Sequence, residues 1–297
     1  MISRSLPALF LFALEAINSP GLAAPNFVEK RTMVAPGVFL RSIEAGKSEG
    51  LPPIVFIPGW STGAEIWSGQ VQRFAERHRV IAFDPRSQGE SSKTTSGNTP
   101  EQRAIDLHVL LARQNIKRPV LVGWSQAVQD IAAYVLRYGT QEIAGIVLVD
   151  APVSDGSRAI ADRPQQSANQ FRLFGIYQSE QEAYLRGMFG AIISKPQPTG
   201  MVDQAVAVAM KTPPSIGIAM LVADMFTTDR TPALSKMDCP VLIVAAAGSP
   251  EVWRQKAEAL AIRNGRYVEI DDTAHSVFLD QPDRFSTALS DFIGMLE

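Results

Sequence analysis

A single cysteine, Cys239, stands among the 297 residues of this chain, so no intramolecular disulfide and no thiolate metal cluster can form. It directly precedes Pro240 and an apolar run from Val241, the pattern of a small buried residue at a strand start. Histidine is nearly as scarce. His78, His108 and His275 are the whole set, and none has the paired spacing of metal ligands, which leaves a zinc or di-metal hydrolase little to build with. His78 lies among Glu76, Arg77 and Arg79 and reads as a solvated helix end, whereas His108 reads as a partly buried structural residue inside a helix. Neither sign of charge dominates: 28 basic side chains face 30 acidic ones, which argues against nucleic acid as a partner. Past the N-terminal region no apolar run reaches the roughly 18 residues that suggest a membrane span.

The N-terminus carries Arg4, an apolar stretch from Leu6 to Ile17, and small residues at Gly21, Ala23 and Ala24. This is the layout of a secretory signal peptide over residues 1–24, interrupted by Glu15. The mature chain is then expected in the periplasm or outside the cell. The alternative is a cytoplasmic protein in which the same stretch is a peripheral helix.

The remaining length suits one α/β core with an insertion. Short apolar runs at Ile54 to Ile57, Val80 to Phe83, Val120 to Val122, Ile146 to Val149, Val241 to Val244 and Tyr267 to Ile270 alternate with amphipathic helical stretches. Most are too continuously apolar to have a solvated face, so the expectation is a mostly parallel central sheet flanked by helices. Thr99, Pro100 and Gln102 read as N-cap, first-turn proline and capping-box partner of a helix running to about Asn115. Gln126 to Tyr138 reads as another helix, closed by Gly139. Residues 151–232 break the alternation: they show helical periodicity, no convincing strand, and the pair Pro213 and Pro214. They are expected to form an inserted helical cap, with residues 25–150 and 233–297 as the core. Phe189, Met220 and Phe226 belong to the cap's apolar set, most of which should form its own core.

Chemistry enters where Val120, Leu121 and Val122 run into Gly123, Trp124, Ser125, Gln126 and Ala127, with a helix directly after. Strand, sharp turn and helix make a nucleophile elbow, which exposes the serine hydroxyl above the sheet and demands small residues two positions to either side. Gly123 meets that demand; Ala127 stands where glycine is usual. The plainer reading of Ser125 is a helix N-cap.

The neighbours of the elbow resemble the α/β-hydrolase family from about residue 35 to the C-terminus. Pro58, Gly59 and Trp60 occupy the oxyanion loop, with proline in place of the family's histidine. Asp84 to Ser91 look like the loop after the next strand, with Ser87 where glycine is commoner. Ala274, His275 and Ser276, followed by Asp280, Gln281, Pro282 and Phe285, resemble the histidine loop and final helix. Within the family the wording around Ser125 and Asp150 is similar to capped esterases and cofactor-free haloperoxidases or perhydrolases.

That resemblance implies ester or acyl-transfer chemistry on a small-molecule substrate without a cofactor or metal. Ser125 would be the nucleophile, His275 its general base, and the backbone N–H groups of Trp60 and Gln126 the oxyanion hole. In most members the acid follows the strand after the cap. Here that position falls on Ser249, which cannot act as a carboxylate. The fold's other solution puts the acid at the end of the strand after the elbow helix, which is Asp150; Glu251 is the alternative, and Asp155, Asp271 and Asp272 are weaker candidates. Peroxide as acyl acceptor, cleavage of a carbon-carbon bond beside a ketone, or a non-catalytic binding module on the same scaffold are the competing functions.

Overall fold

The structure, a computed structural model, describes residues 27–47 and 50–296. The expected signal peptide lies outside these residues. Eight strands form one sheet: β1 Val28–Ala35, β2 Val38–Ala45, β3 Ile54–Ile57, β4 Val80–Phe83, β5 Val120–Trp124, β6 Gly145–Val149, β7 Val241–Ala246 and β8 Gly265–Ile270. Their order is β1-β2-β4-β3-β5-β6-β7-β8. The strands from β3 to β8 are parallel, and β2 joins β4 antiparallel. Every residue of β3 to β7 is buried, as continuous apolar runs in a doubly covered parallel sheet require.

Alternation of side chains along each strand feeds two cores. Val55, Ile57, Leu121 and Ile146 pack with Leu107 of α2 (Pro100–Arg113) and Ile131 of α3 (Ala127–Tyr138). On the other face Ile54, Phe56, Val120 and Val122 meet Val71 of α1 (Ser68–Phe74) and Leu289 of α11 (Pro282–Gly294). After β3 the chain moves to one side for β4 and then returns past β3 to lay down β5. That reversal leaves a crevice at the carboxyl ends of β3 and β5, where open α/β sheets place ligands.

Between β6 and β7 the chain forms α4 (Arg158–Asp162), α5 (Pro164–Ser179), α6 (Gln181–Ile192), α7 (Met201–Ala209) and α8 (Pro214–Phe226). Tyr177, Leu185, Phe189, Val206 and Met220 bury one another there, and Trp60 from the core joins them. A single bridge, Asp155 with Asp229, is the extended pairing found outside the named strands among the described residues. Helices α9 (Val252–Ala261) and α10 (Val277–Asp280) complete the core.

Several expectations need correction. The hairpin β1–β2 is not among the strands that the apolar pattern predicts, because β1 is largely solvated and carries Glu29, Lys30 and Arg31 rather than an apolar run. His78 is buried, with Nδ1 3.0 Å from the Pro52 carbonyl oxygen, because the chain after α1 turns inward before β4. His108 is exposed and stacks flat on Tyr138 of the neighbouring helix, rings 4.0 Å apart. Thr99 caps α2 by accepting from the Gln102 N–H. The Gln102 side chain runs along the helix to Asp106 Oδ1 (3.1 Å), so its amide serves the Asp106–Arg86 pair rather than a capping box.

Cys239 is buried, and burial pushes its thiol up to about 11. A second buried group has a consequence for stability. Glu258 of α9 accepts the Val153 N–H through both carboxylate oxygens, at 3.0 and 3.1 Å. Burial pushes its carboxyl up to about 8, against the lowering pull of that N–H and of Arg254. Between the ordinary carboxylate range and about pH 8 the folded state therefore holds a proton that the unfolded state has released, so stability falls as pH rises through that window. The melting temperature of wild type should drop from pH 5 to pH 9 more steeply than that of Glu258→Gln. Equal slopes in the two proteins would reject the assignment.

Candidate active site

Strand β5 ends at Trp124 and α3 opens at Ala127, so the chain reverses within the two residues between them, Ser125 and Gln126. Ser125 is forced to φ +58°, a left-handed conformation that costs a non-glycine residue energy and persists only where surroundings fix it. Two bonds fix it: Ser125 N–H donates to Val149 O (3.0 Å), and Ser125 O accepts from Val128 N–H (3.0 Å). A Cβ on Gly123 would lie 2.6 Å from Ile131 Cδ1 and 3.0 Å from Ala127 O, which is why the residue two before the serine is glycine. Ala127 sits fully buried at the start of α3, where its one methyl group is accommodated.

Asp150 follows β6 in the same way, at φ +47° with its N–H on Val244 O (2.8 Å). Its side chain is buried and both oxygens are engaged. Oδ2 lies 2.8 Å from His275 Nδ1, while Oδ1 accepts from Ala246 N–H (3.0 Å) and Gln255 Nε2 (3.1 Å). His275 Nε2 lies 2.8 Å from Ser125 Oγ. With the ring proton on Nδ1, Nε2 is the acceptor facing the serine hydroxyl.

The histidine loop is braced from three sides. Trp124 Nε1 donates to His275 O (3.0 Å), Ser276 N–H donates to Ile192 O of α6 (2.9 Å), and Ala274 N–H donates to Asp280 Oδ2 (2.7 Å). Behind it Phe278 stacks on Trp67 at 3.8 Å, a contact worth about 0.5–1.5 kcal/mol beyond burial.

Glu251 is turned elsewhere, toward Arg254 (2.9 Å) and Arg163 (3.7 Å). Asp155 meets Arg163 and Arg254, Asp271 meets Arg284, and Asp272 meets Lys195. Ser249 lies on the loop after β7, where its Oγ accepts weakly from Glu251 N–H (3.4 Å). Thus Asp150 is the carboxylate the fold brings to His275.

The two expected oxyanion donors flank Ser125. Gly59 packs so closely that a Cβ there would be 3.0 Å from Ser125 Cβ, which carries the Trp60 backbone to the elbow. Ser61, at φ +57°, donates its N–H to Gln88 Oε1 from the loop after β4. Asp84 of that loop accepts the N–H groups of Ala64 and Glu90, and burial raises its carboxyl to about 6. Gln126 occupies the turn itself, with its side-chain amide on Asp224 of α8. Among the described residues no group of three or more His, Cys, Asp or Glu side chains is arranged to hold a metal. Sequence reading missed Gln255, the second donor to Asp150, because a glutamine inside an amphipathic helix gives no sign of its partner.

Residues 54–288 match the model of the alpha/beta hydrolase family. The chain belongs to that family and is a hydrolase. It is 24% identical over 252 residues to a bifunctional esterase/perhydrolase of Acinetobacter calcoaceticus, covering 82% of this chain and 91% of that one. A non-heme haloperoxidase of Rhodococcus erythropolis is 33% identical over 100 residues, 33% of this chain and 36% of that protein's length. The crystal structure of a bromoperoxidase from Bacillus anthracis superposes with a TM-score of 0.80 at 23% identity, covering 90% of this chain and all of that one, a likeness of fold. Enol-lactonases are also among the relatives.

The geometry around His275 separates two carboxylates by experiment. If Asp150 orients His275, Asp150→Asn should lower kcat by about 10⁴, the loss seen in serine-hydrolase triads whose histidine loses its orienting acid, while Glu251→Gln should stay within a few fold of wild type. Kinetics on one ester, with circular dichroism as the folding check, tests this; the reverse ranking would move the role to Glu251.

Proposed function

We propose that the protein is a serine hydrolase cleaving an ester or lactone of a small, largely apolar substrate through an acyl-enzyme on Ser125. The observation carrying this reading is the unbroken line from Ser125 Oγ through His275 to Asp150, with 2.8 Å at each step. Ser125 Oγ attacks the carbonyl carbon as His275 Nε2 takes its proton. The buried Asp150 carboxylate steadies the imidazolium that results. The oxyanion draws on the N–H groups of Trp60 and Gln126, preorganised donors that need not reorganise as the charge develops. Collapse of the intermediate expels the alkoxide, which leaves with the proton from His275. A water then repeats the sequence on the acyl carbon, giving its proton to His275, and Ser125 leaves reprotonated. Partly buried apolar side chains packed against the cluster that holds Trp60, including Met188, Ile193 and Ile216, support an apolar acyl group.

Peroxide in place of that water is a second reading, favoured by the relative that is both esterase and perhydrolase. Peracid formation from acetate and hydrogen peroxide distinguishes it.

Ser125→Ala should lower kcat by about 10⁴ to 10⁶, His275→Ala nearly as much, and the double variant no further, because both residues serve one proton transfer. Additive losses would count against the assignment. A fluorophosphonate should label wild type and not Ser125→Ala; a folded wild type that takes no label favours the non-catalytic binding module.

We also propose export, with cleavage near Ala24 or Pro25. Intact-mass measurement of periplasmic or secreted protein from a bacterial host should show that start. Product from there beginning at Met1 would refute it.

A further inference from the structure

Both residues assigned to the oxyanion hole are tied by their side chains to one helix of the insertion. Trp60 Nε1 donates to Gly217 O in the first turns of α8 (2.8 Å), and Gln126 Nε2 donates to Asp224 Oδ2 near its end. These contacts come from different core loops, one after β3 and one after β5. The geometry points to α8 as the element that sets the spacing of the two oxyanion N–H groups, with Gly217 and Asp224 as positioning residues.

Two further features support this role. A Cβ on Gly217 would come within 2.8 Å of the Tyr177 hydroxyl and 3.2 Å of Trp60 Cζ2, so the close seat of the indole depends on glycine there. The other end of α8 is fixed to the core by buried arginines. Arg103 of α2 donates from Nη2 to Asp224 Oδ1 (2.6 Å) and from Nε to Asp130 Oδ1 on the elbow helix (2.8 Å). Arg230 donates to the carbonyls of Asp224 (3.2 Å) and Ala223 (3.4 Å) while pairing with Glu101 of α2 (2.6 Å). A helix anchored at that end transmits its position to Trp60 and Gln126, and an error near 1 Å at a reacting group can cost about 10² in rate.

The inference rests on the oxyanion reading above. Its test uses the full-length protein with three changes, Gln126→Met, Asp224→Asn and Gly217→Ala, and two readouts beyond rate. A short-chain alkyl trifluoromethyl ketone adds to Ser125 as a hemiketal whose oxyanion takes the same two N–H groups. Each variant should lose about 10- to 100-fold in kcat with KM within about threefold, and should weaken the ketone by the same factor. Fluorophosphonate should still label one serine per chain, and the acid limb of the pH profile should not move, because His275 and Asp150 are untouched. Gln126→Met keeps the backbone N–H and leaves Arg103 its acceptor, so it remains informative if Asp224→Asn folds poorly. Variants with wild-type kcat and ketone affinity would overturn the inference, as would a loss appearing only as fewer labelled sites or as a shifted acid limb. A wild type that neither labels nor hydrolyses esters would instead overturn the serine-hydrolase reading beneath it.

Discussion

The Asp150 carboxylate is a charge taken out of water at the end of a central strand, and the arrangement around it follows from making that tolerable. An unpaired buried carboxylate costs several kcal/mol or gives up its charge. Here Oδ2 faces His275, while Oδ1 accepts from the Ala246 backbone and from Gln255, a side chain with no exposed surface. The second oxygen is thus as fully engaged as the first. That pinning stops the carboxylate from rotating away from the imidazole, and it uses a backbone N–H at the end of β7, the strand that carries the acid in most of the family.

Why the carboxylate facing His275 can sit directly after β6 is a matter of register. Trp124 of β5 stands opposite Val149 of β6, and Val149 opposite Val244 of β7. The residues directly after, Ser125 and Asp150, donate their N–H groups one strand along, to Val149 and Val244. Both take left-handed φ values and leave the sheet at the same level. Ser125 and Asp150 on adjacent strand ends, with His275 arriving on the loop after β8, form a compact line beside the β7 loop. The Ser249 hydroxyl meets the Glu251 N–H of its own loop, and the Glu251 carboxylate faces Arg254 of α9 and Arg163.

Most of the parallel core was legible because β3 to β7 are short, apolar and buried on both faces, so their runs stand out from the helical stretches between them. The edge hairpin was not, since Glu29, Lys30 and Arg31 mask it and its register depends on a partner strand. Ser125 and His275 were visible through local motifs. Asp150 rests on the family resemblance, which offers the end of β6 as a second place for the acid and leaves Glu251 open until the fold brings Asp150 to His275. Gln255, Gly217 and Asp224 act across about 105, 157 and 98 positions of chain, and nothing in a helix's own periodicity records a partner that distant. His78 is a related case: its charged neighbours predict solvent, while the fold turns that one ring inward to Pro52.

Those long-range polar contacts also explain why charge is buried under the insertion at all. Burial raises the carboxyls of Asp130 and Asp224, and Arg103 between them opposes that rise. Such a network gives little net stability over well-packed apolar residues of the same volume. An apolar seam between α8 and the elbow helix, however, would tolerate sliding by a fraction of a turn with small loss, because dispersion contacts are numerous and individually weak. A guanidinium that must meet two carboxylates at 2.6 to 2.8 Å does not. Directional bonds therefore serve here to fix the register of α8 on α2 and α3. Register is the property that matters where the helix also holds the indole of Trp60 and the amide of Gln126.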